Sequence, residues 1–287
     1  MEKGVDLSKW NGIVDFNLLK EEVEFVILRA SYGYDSSEFI NRGVDEFFEE
    51  NYRKAKEAKL KVGAYHYSYA RNEEEARLEL KHFLNKIKGK TFEYPLIYDL
   101  EDEKVQGHLA REKLTDIANE FLTGLEKSGY YSMIYSSKYW LENKLDMNRL
   151  SRFDTWLAEW REEVSYKNPF GIWQYSSTSK VGGVEGLVDS NYSYKDYEKI
   201  IKEAGLNGFT KIAKKDDPKK IEVIYSNELD LFAASIYARF NNLSLKYMES
   251  EPKHPYIHIG YSDKFKNKIY GETRLDTLKA VLKEIKK

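Results

Sequence analysis

The residues best placed to do chemistry sit at the end of one apolar run. Pro95-Leu96-Ile97-Tyr98-Asp99-Leu100-Glu101 reads as a strand that ends in Asp-x-Glu, with Asp102 and Glu103 directly behind it. Residues i and i+2 of a strand share a face, about 7 Å apart along the chain. Asp99 and Glu101 are therefore expected on one face. Two carboxylates at that spacing suit hydrolysis of a glycosidic bond: one protonates the leaving oxygen, and the other supports or attacks the positive charge that develops. Crowding also raises the pKa of one of them, which keeps an acid protonated near neutral pH. The same acidic run suits a solvated loop or a divalent-cation site, and the motif by itself leaves these readings open.

Two further acids fall at the edges of apolar segments. Asp6 closes the run Gly4–Leu7, and Asp189 closes Gly186–Asp189. First and last strands are neighbours in a closed barrel, so Asp6, Asp99, Glu101 and Asp189 are expected around one mouth. Turn-forming roles for Asp6 and Asp189 are the alternative. Aromatic residues accompany these positions. Tyr65, Tyr67, Tyr135, Trp156 and Trp173 are candidates for stacking on sugar rings, although most aromatics of this kind are core packing. Glu159, beside Trp156 and Trp160, is a candidate binding carboxylate or a surface residue. The five histidines form no paired metal-binding spacing. With no cysteine in the chain, thiolate chemistry and Cys-ligated metals are excluded. No cofactor and no metal are expected.

The elements that must hold these residues follow from hydrophobic period. Strands are expected at Gly4–Leu7, Phe25–Ala30, Lys61–Tyr67, Pro95–Leu100, Tyr131–Ser136, Thr155–Glu159, Gly171–Tyr175 and Gly186–Asp189. Helices are expected at Val44–Ala58, Glu73–Lys86, Ala110–Ser128 and Asp196–Ala204. Helices interleave the early strands and vanish between the late ones. That order predicts an α/β fold, a TIM-like barrel with irregular closing strands. A doubly wound sheet is the alternative, and no Gly-rich phosphate loop supports it.

The domains are expected at residues 1–206 for the barrel, 207–219 for a polar linker containing Gly and Pro, and 220–287 for a small α/β domain. In the last, strands are expected at Ile221–Tyr225 and Tyr256–Ile259 and helices at Leu229–Phe240 and Thr273–Ile285. The chain has 287 residues, is 41% apolar and 15% aromatic, and carries a net charge of −2. The excess of acids lies in the first two hundred residues and an excess of Lys and Arg in the last seventy. Near-neutral charge gives no reason to expect a nucleic-acid partner. No apolar run reaches the length of a membrane span, and the N-terminus lacks a signal-peptide core. Synthesis in the cytoplasm is the expected localisation, and an attack on a cell wall would need release by another agent.

Taken together, these stretches resemble the glycoside hydrolase family 25 lysozymes. The match runs in order through Gly4-Val5-Asp6-Leu7-Ser8-Lys9-Trp10-Asn11-Gly12, Phe25–Ser31, Gly63–Tyr67, Tyr98–Glu101, Ile134–Ser136, Trp156–Ala158, Trp173–Ser176 and Gly186–Asn191. The resemblance implies an irregular (β/α)5β3 barrel that hydrolyses the β-1,4 bond between N-acetylmuramic acid and N-acetylglucosamine in bacterial peptidoglycan. It implies Glu101 as general acid and Asp99 as its partner, either nucleophile or orienter of the substrate N-acetyl group. It implies Asp6 and Asp189 as supporting carboxylates. Glu159 departs from the family, which often carries His, Arg or Asn there. Tyr270–Ala280 resembles the Gly-x-x-Arg-x-x-Thr pattern of wall-binding domains in clostridial phage endolysins. That resemblance implies a phage endolysin with a C-terminal wall ligand, and it leaves open self-association through the C-terminal domain. A bacterial autolysin of the same chemistry and a non-catalytic wall-binding protein are the alternatives.

Overall fold

In a computed structural model of the chain, the described residues are 1–34, 43–210, 222–225, 231–240, 245–247, 256–259, 268–269 and 274–285. The chain divides into two compact units, Met1–Ile212 and Ala213–Lys287.

The first unit is a closed eight-stranded barrel. Its strands are β1 (Glu2–Leu7), β2 (Phe25–Tyr32), β3 (Lys61–Tyr67), β4 (Leu96–Asp99), β5 (Ser132–Ser137), β6 (Asp154–Ala158), β7 (Ile172–Ser179) and β8 (Val188–Ser193). Helices α1 (Phe16–Leu19), α2 (Phe48–Glu57), α3 (Glu73–Ile87), α4 (Arg111–Lys127) and α5 (Lys138–Asn143) follow the first five strands in turn, and α6 (Tyr197–Ala204) follows the last. Five strand–helix units followed by three strands without intervening helices match the expected (β/α)5β3 architecture.

Strands β1 to β7 run parallel, and β8 runs antiparallel to both β7 and β1. This corrects the last strand. It was expected to end at Asp189 and instead begins at Val188. Because β8 is reversed, its beginning lies at the rim where the other strands end, and Asp189 pairs directly with Asp6.

Alternation along each strand sorts residues into two cores. Val5, Leu7, Val26, Leu28, Val62, Ala64, Leu96, Tyr98, Ile134 and Leu157 pack outward against the helices. Phe25, Ile27, Tyr65, Tyr94, Ile97, Met133, Tyr135, Trp156 and Ile172 fill the barrel interior, with Tyr197 and Ile201 of α6 in the same cluster. Phe25 and Tyr94 stack with ring centroids 4.2 Å apart. Inward space for them depends on Gly4 and Gly63. A Cβ on Gly4 would lie 2.4 Å from the Phe25 ring, and one on Gly63 would lie 2.9 Å from Tyr94 Cβ.

The helices begin where the sequence supplies a cap. In α3 the Asn72 side chain accepts the Glu75 N–H, and Glu73, Glu74 and Glu75 complement the positive end of the helix dipole. Helix α2 starts four residues later than expected. Asp45, in the stretch expected to be helical, uses its carboxylate on the backbone N–H of Lys9 and Phe47. The barrel unit also runs past residue 206. Asn207 is buried and bonds to the backbone of Phe92, Tyr94 and Tyr131. Most of the expected linker, residues 211–219, lies outside the described residues.

The second unit holds a parallel sheet in the order β10 (Leu245–Tyr247), β9 (Glu222–Tyr225), β11 (Tyr256–Ile259), β12 (Lys268–Ile269), with helices α7 (Leu231–Phe240) and α8 (Arg274–Ile285). Its core includes Val223, Ala233, Ala234, Ala238, Ile259 and Val281. Strands β10 and β12 were not expected; at three and two residues they are too short to show a period. Residues 221, 229–230 and 273, expected at element starts, lie outside the described residues, as do 270–273 of the Gly-x-x-Arg-x-x-Thr stretch. Among the described residues no helix is long and apolar enough to cross a membrane.

Candidate active site

The barrel brings the four acids to one rim. Asp6 ends β1 on its inward face, between the outward Val5 and Leu7. Asp99 ends β4 on the same face as Ile97, and Glu101 follows two residues on. Asp189 faces Asp6 across the β1–β8 pair. Asp6 and Asp99 are buried, while Glu101 and Asp189 are half-buried.

Asp6 is held by two amides. Its Oδ2 accepts from Gln174 Nε2 at 3.0 Å and from Asn191 Nδ2 at 2.8 Å. Gln174 Oε1 in turn accepts from Tyr135 Oη and Trp160 Nε1, each at 3.0 Å. Asn191 Oδ1 accepts from Trp156 Nε1 at 2.8 Å. These bonds fix the rim before any substrate arrives. On the strand neighbouring β1, Arg29 enters from the inward face of β2 and pairs with the buried Asp45, Nε to Oδ2 at 2.8 Å. One guanidinium nitrogen, Nη2, and one carboxylate oxygen, Asp99 Oδ1, are buried without a hydrogen-bond partner.

Electrostatics follow from the crowding. Burial, then Asp189, raise Glu101 to about 7, with Asp102 adding to the effect. Burial and Asp189 raise Asp6 to about 8, against the lowering effect of the Asn191 and Gln174 amides. Asp99 is pushed well up by burial, Glu101 and Asp6, and Arg29 pulls it back down. Burial also raises Asp189. At neutral pH the rim therefore holds protons that ordinary carboxylates would have released, which is what an acid catalyst needs. Among the described residues no group of three or more His, Asp or Glu side chains is arranged to hold a metal ion.

The aromatic candidates separate. Tyr67 is half-buried at the rim, its hydroxyl 3.2 Å from Asp102 Oδ2. Tyr65 and Tyr135 lie inside the barrel beneath the acids, each packed against Trp156. Trp156 is 1% exposed, so it floors the mouth and offers no face to a ligand. Trp173 does not join the site. It alternates with the inward Ile172 and Gln174 and packs outward against Tyr175 and Tyr192.

Glu159 does not join it either. It continues the outward parity of Leu157, and its carboxylate accepts from the backbone N–H of Ser165 and Tyr166 and from Ser165 Oγ. Those bonds lower its pKa against the effect of burial. It tethers the loop after β6. Sequence reasoning missed Arg29, Gln174 and Asn191 as site residues. The phase of alternation could have found them, because Gln174 and Asn191 share parity with Ile172 and Asp189.

A barrel whose mouth carries a protonated glutamate beside buried aspartates has the parts of a carboxylate-dependent hydrolase. Comparison with known proteins gives the family. The model of glycosyl hydrolases family 25 matches residues 5–184. The chain belongs to that family and is a glycoside hydrolase. It is 28% identical over 191 residues to an autolytic lysozyme of Clostridium acetobutylicum, covering 65% of this chain and 54% of that one. It thus spans about half the length of that relative. The solved CTP1L endolysin, whose activity is regulated by a secondary translation product, matches with a TM-score of 0.62 at 23% identity, covering 100% of this chain and 99% of that one. A bacterial lysozyme from Streptomyces coelicolor matches with a TM-score of 0.59 at 23% identity, over 70% of this chain and 96% of that one. At these identities the two structures speak to the fold.

Proposed function

We propose that the chain is a phage endolysin: a muramidase that hydrolyses the β-1,4 bond between N-acetylmuramic acid and N-acetylglucosamine in bacterial peptidoglycan and so lyses the host. One observation carries the reading, a half-buried Glu101 raised to about 7 beside a buried Asp99 at the same rim. Glu101 protonates the glycosidic oxygen as the bond to the anomeric carbon breaks. Asp99 supports the positive charge left on that carbon, as nucleophile or by orienting the substrate N-acetyl group. Its unpartnered Oδ1 is the oxygen free to do so. The Arg29 guanidinium works against burial, Glu101 and Asp6 to favour the anion at Asp99. Water then completes hydrolysis, with Glu101, now ionised, taking its proton. Asp6 and Asp189 are supporting carboxylates that position water, substrate or the acid. Tyr67, Tyr65 and Tyr135 shape the mouth.

The C-terminal unit is proposed to hold the wall, through a ligand of the host envelope and with self-association as a further role. Its excess of Lys and Arg suits an anionic polymer. Storage in the host cytoplasm until release completes the proposal. The likeness to the autolytic lysozyme favours a second reading, a chromosomal autolysin of the same chemistry, and the genes flanking this one separate the two.

Mass spectrometry of digested peptidoglycan tests the chemistry. The expected products are muropeptides with a new reducing end on N-acetylmuramic acid. Reducing ends only on N-acetylglucosamine, or cut stem peptides with intact glycan, would overturn the assignment.

A further inference from the structure

Outward residues of β2 to β5 pack beneath helices, but no helix lies between β6 and β7 or between β7 and β8. The outward side chains there are nevertheless aromatic. Trp173 and Tyr192 are direct cross-strand partners, and Tyr175 stacks on Tyr192 with centroids 4.5 Å apart and planes 19° apart. Trp173 packs against both. Together with Trp160, Arg161 and Ser177 they line a depression of about 610 Å³ on the outside of the barrel, within the range of about 300–1,000 Å³ usual for ligand sites.

Two features set this shelf apart from ordinary cross-strand packing. Trp160 is 60% exposed yet held in place, because its indole N–H donates to Gln174 Oε1. The same indole forms a wall of the shelf, so shelf and mouth are joined through one side chain. The shelf is also lined by polar residues: Ser176, Ser177 and Thr178, the exposed Arg161, and Glu162. Flat rings bordered by polar and charged residues match a pyranose, whose C–H faces lie on aromatic planes while its edge hydroxyls and amide bond to polar groups.

We propose that the outer face of the β7–β8 hairpin is a second carbohydrate site, which grips an N-acetylated hexosamine strand of the same polymer that the mouth cleaves. The proposal rests on the muramidase reading for its substrate class. The shelf holds a length of glycan, or a neighbouring strand, while the mouth works, and so raises the local concentration of cleavable bonds.

The test uses the full chain silenced by Glu101→Gln, with a soluble tetramer of N-acetylglucosamine as probe, followed through the tryptophan indole N–H resonances. Two saturable phases are expected. Tyr192→Ser removes half of the stacked pair, and Ser177→Arg fills the shelf without removing any ring. Each should weaken one phase about tenfold, Tyr192→Ser through the loss of one good aromatic contact and Ser177→Arg by occlusion, and leave the other phase unchanged. In the active chain, each should raise KM on intact walls while leaving kcat on a short soluble glycan within about twofold. Should Tyr192→Ser fail to fold, Ser177→Arg decides alone. A single phase in the parent, or unchanged binding and KM in a folded Ser177→Arg chain, overturns the proposal. Absence of muramyl products from walls sinks the muramidase reading instead, and the tetramer titration still judges the shelf.

Discussion

Strand β4 carries buried polar chemistry on both faces, and the two faces treat a carboxylate in opposite ways. Outward, Tyr98 reaches Glu79 of α3, which is fully buried. Glu79 Oε2 accepts from Tyr98 Oη at 2.9 Å, Oε1 accepts from the Tyr69 N–H at 2.7 Å, and His66 Nε2 stands 3.6 Å away. Ser31, Ser68 and Gln106 extend the network. Inward, one residue along, Asp99 keeps an oxygen without a partner, and Glu101 lies among other acids. Satisfying a buried carboxylate stabilises a fold, whereas leaving it short of donors raises its proton affinity and stores reactivity. The outer network is scaffold and the inner cluster is the working site, set apart only by the alternation of a four-residue strand.

The widest separation between the faces is expected from Glu101→Gln. Removing a proton donor of this kind costs about 10²–10⁴ in rate, and the substitution removes a crowded charge, so Tm should hold or rise. Turbidity loss of suspended walls measures the first and calorimetry the second. Lysis at the parental rate would mean that the inner cluster is not the acid.

Next in size is Glu79→Ala on the outer face. It leaves the Tyr98 hydroxyl and the Tyr69 N–H without their acceptor, at about 1–3 kcal/mol each. With roughly 2–4 °C lost per kcal/mol in a unit of this size, thermal unfolding should fall by about 5–20 °C. Turnover per folded molecule well below Tm should stay within a few-fold. Equal Tm with lost turnover would break the division between the faces.

The same alternation decided what could be read from the sequence. Asp6, Asp99 and Glu101 were legible because each ends or closely follows an apolar run, and Asp-x-Glu fixes its own parity. Asp189 was placed at the right rim from a mistaken strand end, since reversal of β8 leaves no mark in composition. The outward parity of Glu159 and Trp173 was hidden because β6 and the first residues of β7 are buried on both faces, so apolar residues occupy both parities there. Gln174 and Asn191 were masked by the aromatics beside them. Arg29 shares the inward parity of Ile27, but its pairing was hidden because its partner Asp45 lies in a stretch that reads as helix. Early helices giving way to helix-free late strands were visible in the hydrophobic period, but the five-plus-three order came from the family resemblance, because α1 and α5, like β10 and β12, are too short to show a pattern.

The smallest effect sharpens the comparison most, because it assigns protons to one face. Glu101 rises to about 7, Asp6 to about 8, and Asp99 and Asp189 also rise. The folded barrel therefore binds protons that the unfolded chain releases near its ordinary carboxylate values. Stability from these groups is fully present below about pH 4 and is lost as pH climbs through 7 to 8. Each unit by which a folded pKa exceeds the unfolded one is worth about 1.4 kcal/mol. Glu75 and Glu198, lowered by their Arg71 and Lys202 partners, act the other way and lose stability as pH falls through their folded values. Thermal unfolding followed from pH 5 to pH 8 should thus drift downward, with activity falling above pH 7 as Glu101 ionises. Glu101→Gln removes one of the released protons and should flatten the slope, whereas Glu79→Ala should lower Tm across the whole range. A parental curve that rises from pH 5 to 8, or a slope unchanged by Glu101→Gln, would place the stored protons elsewhere than at the mouth.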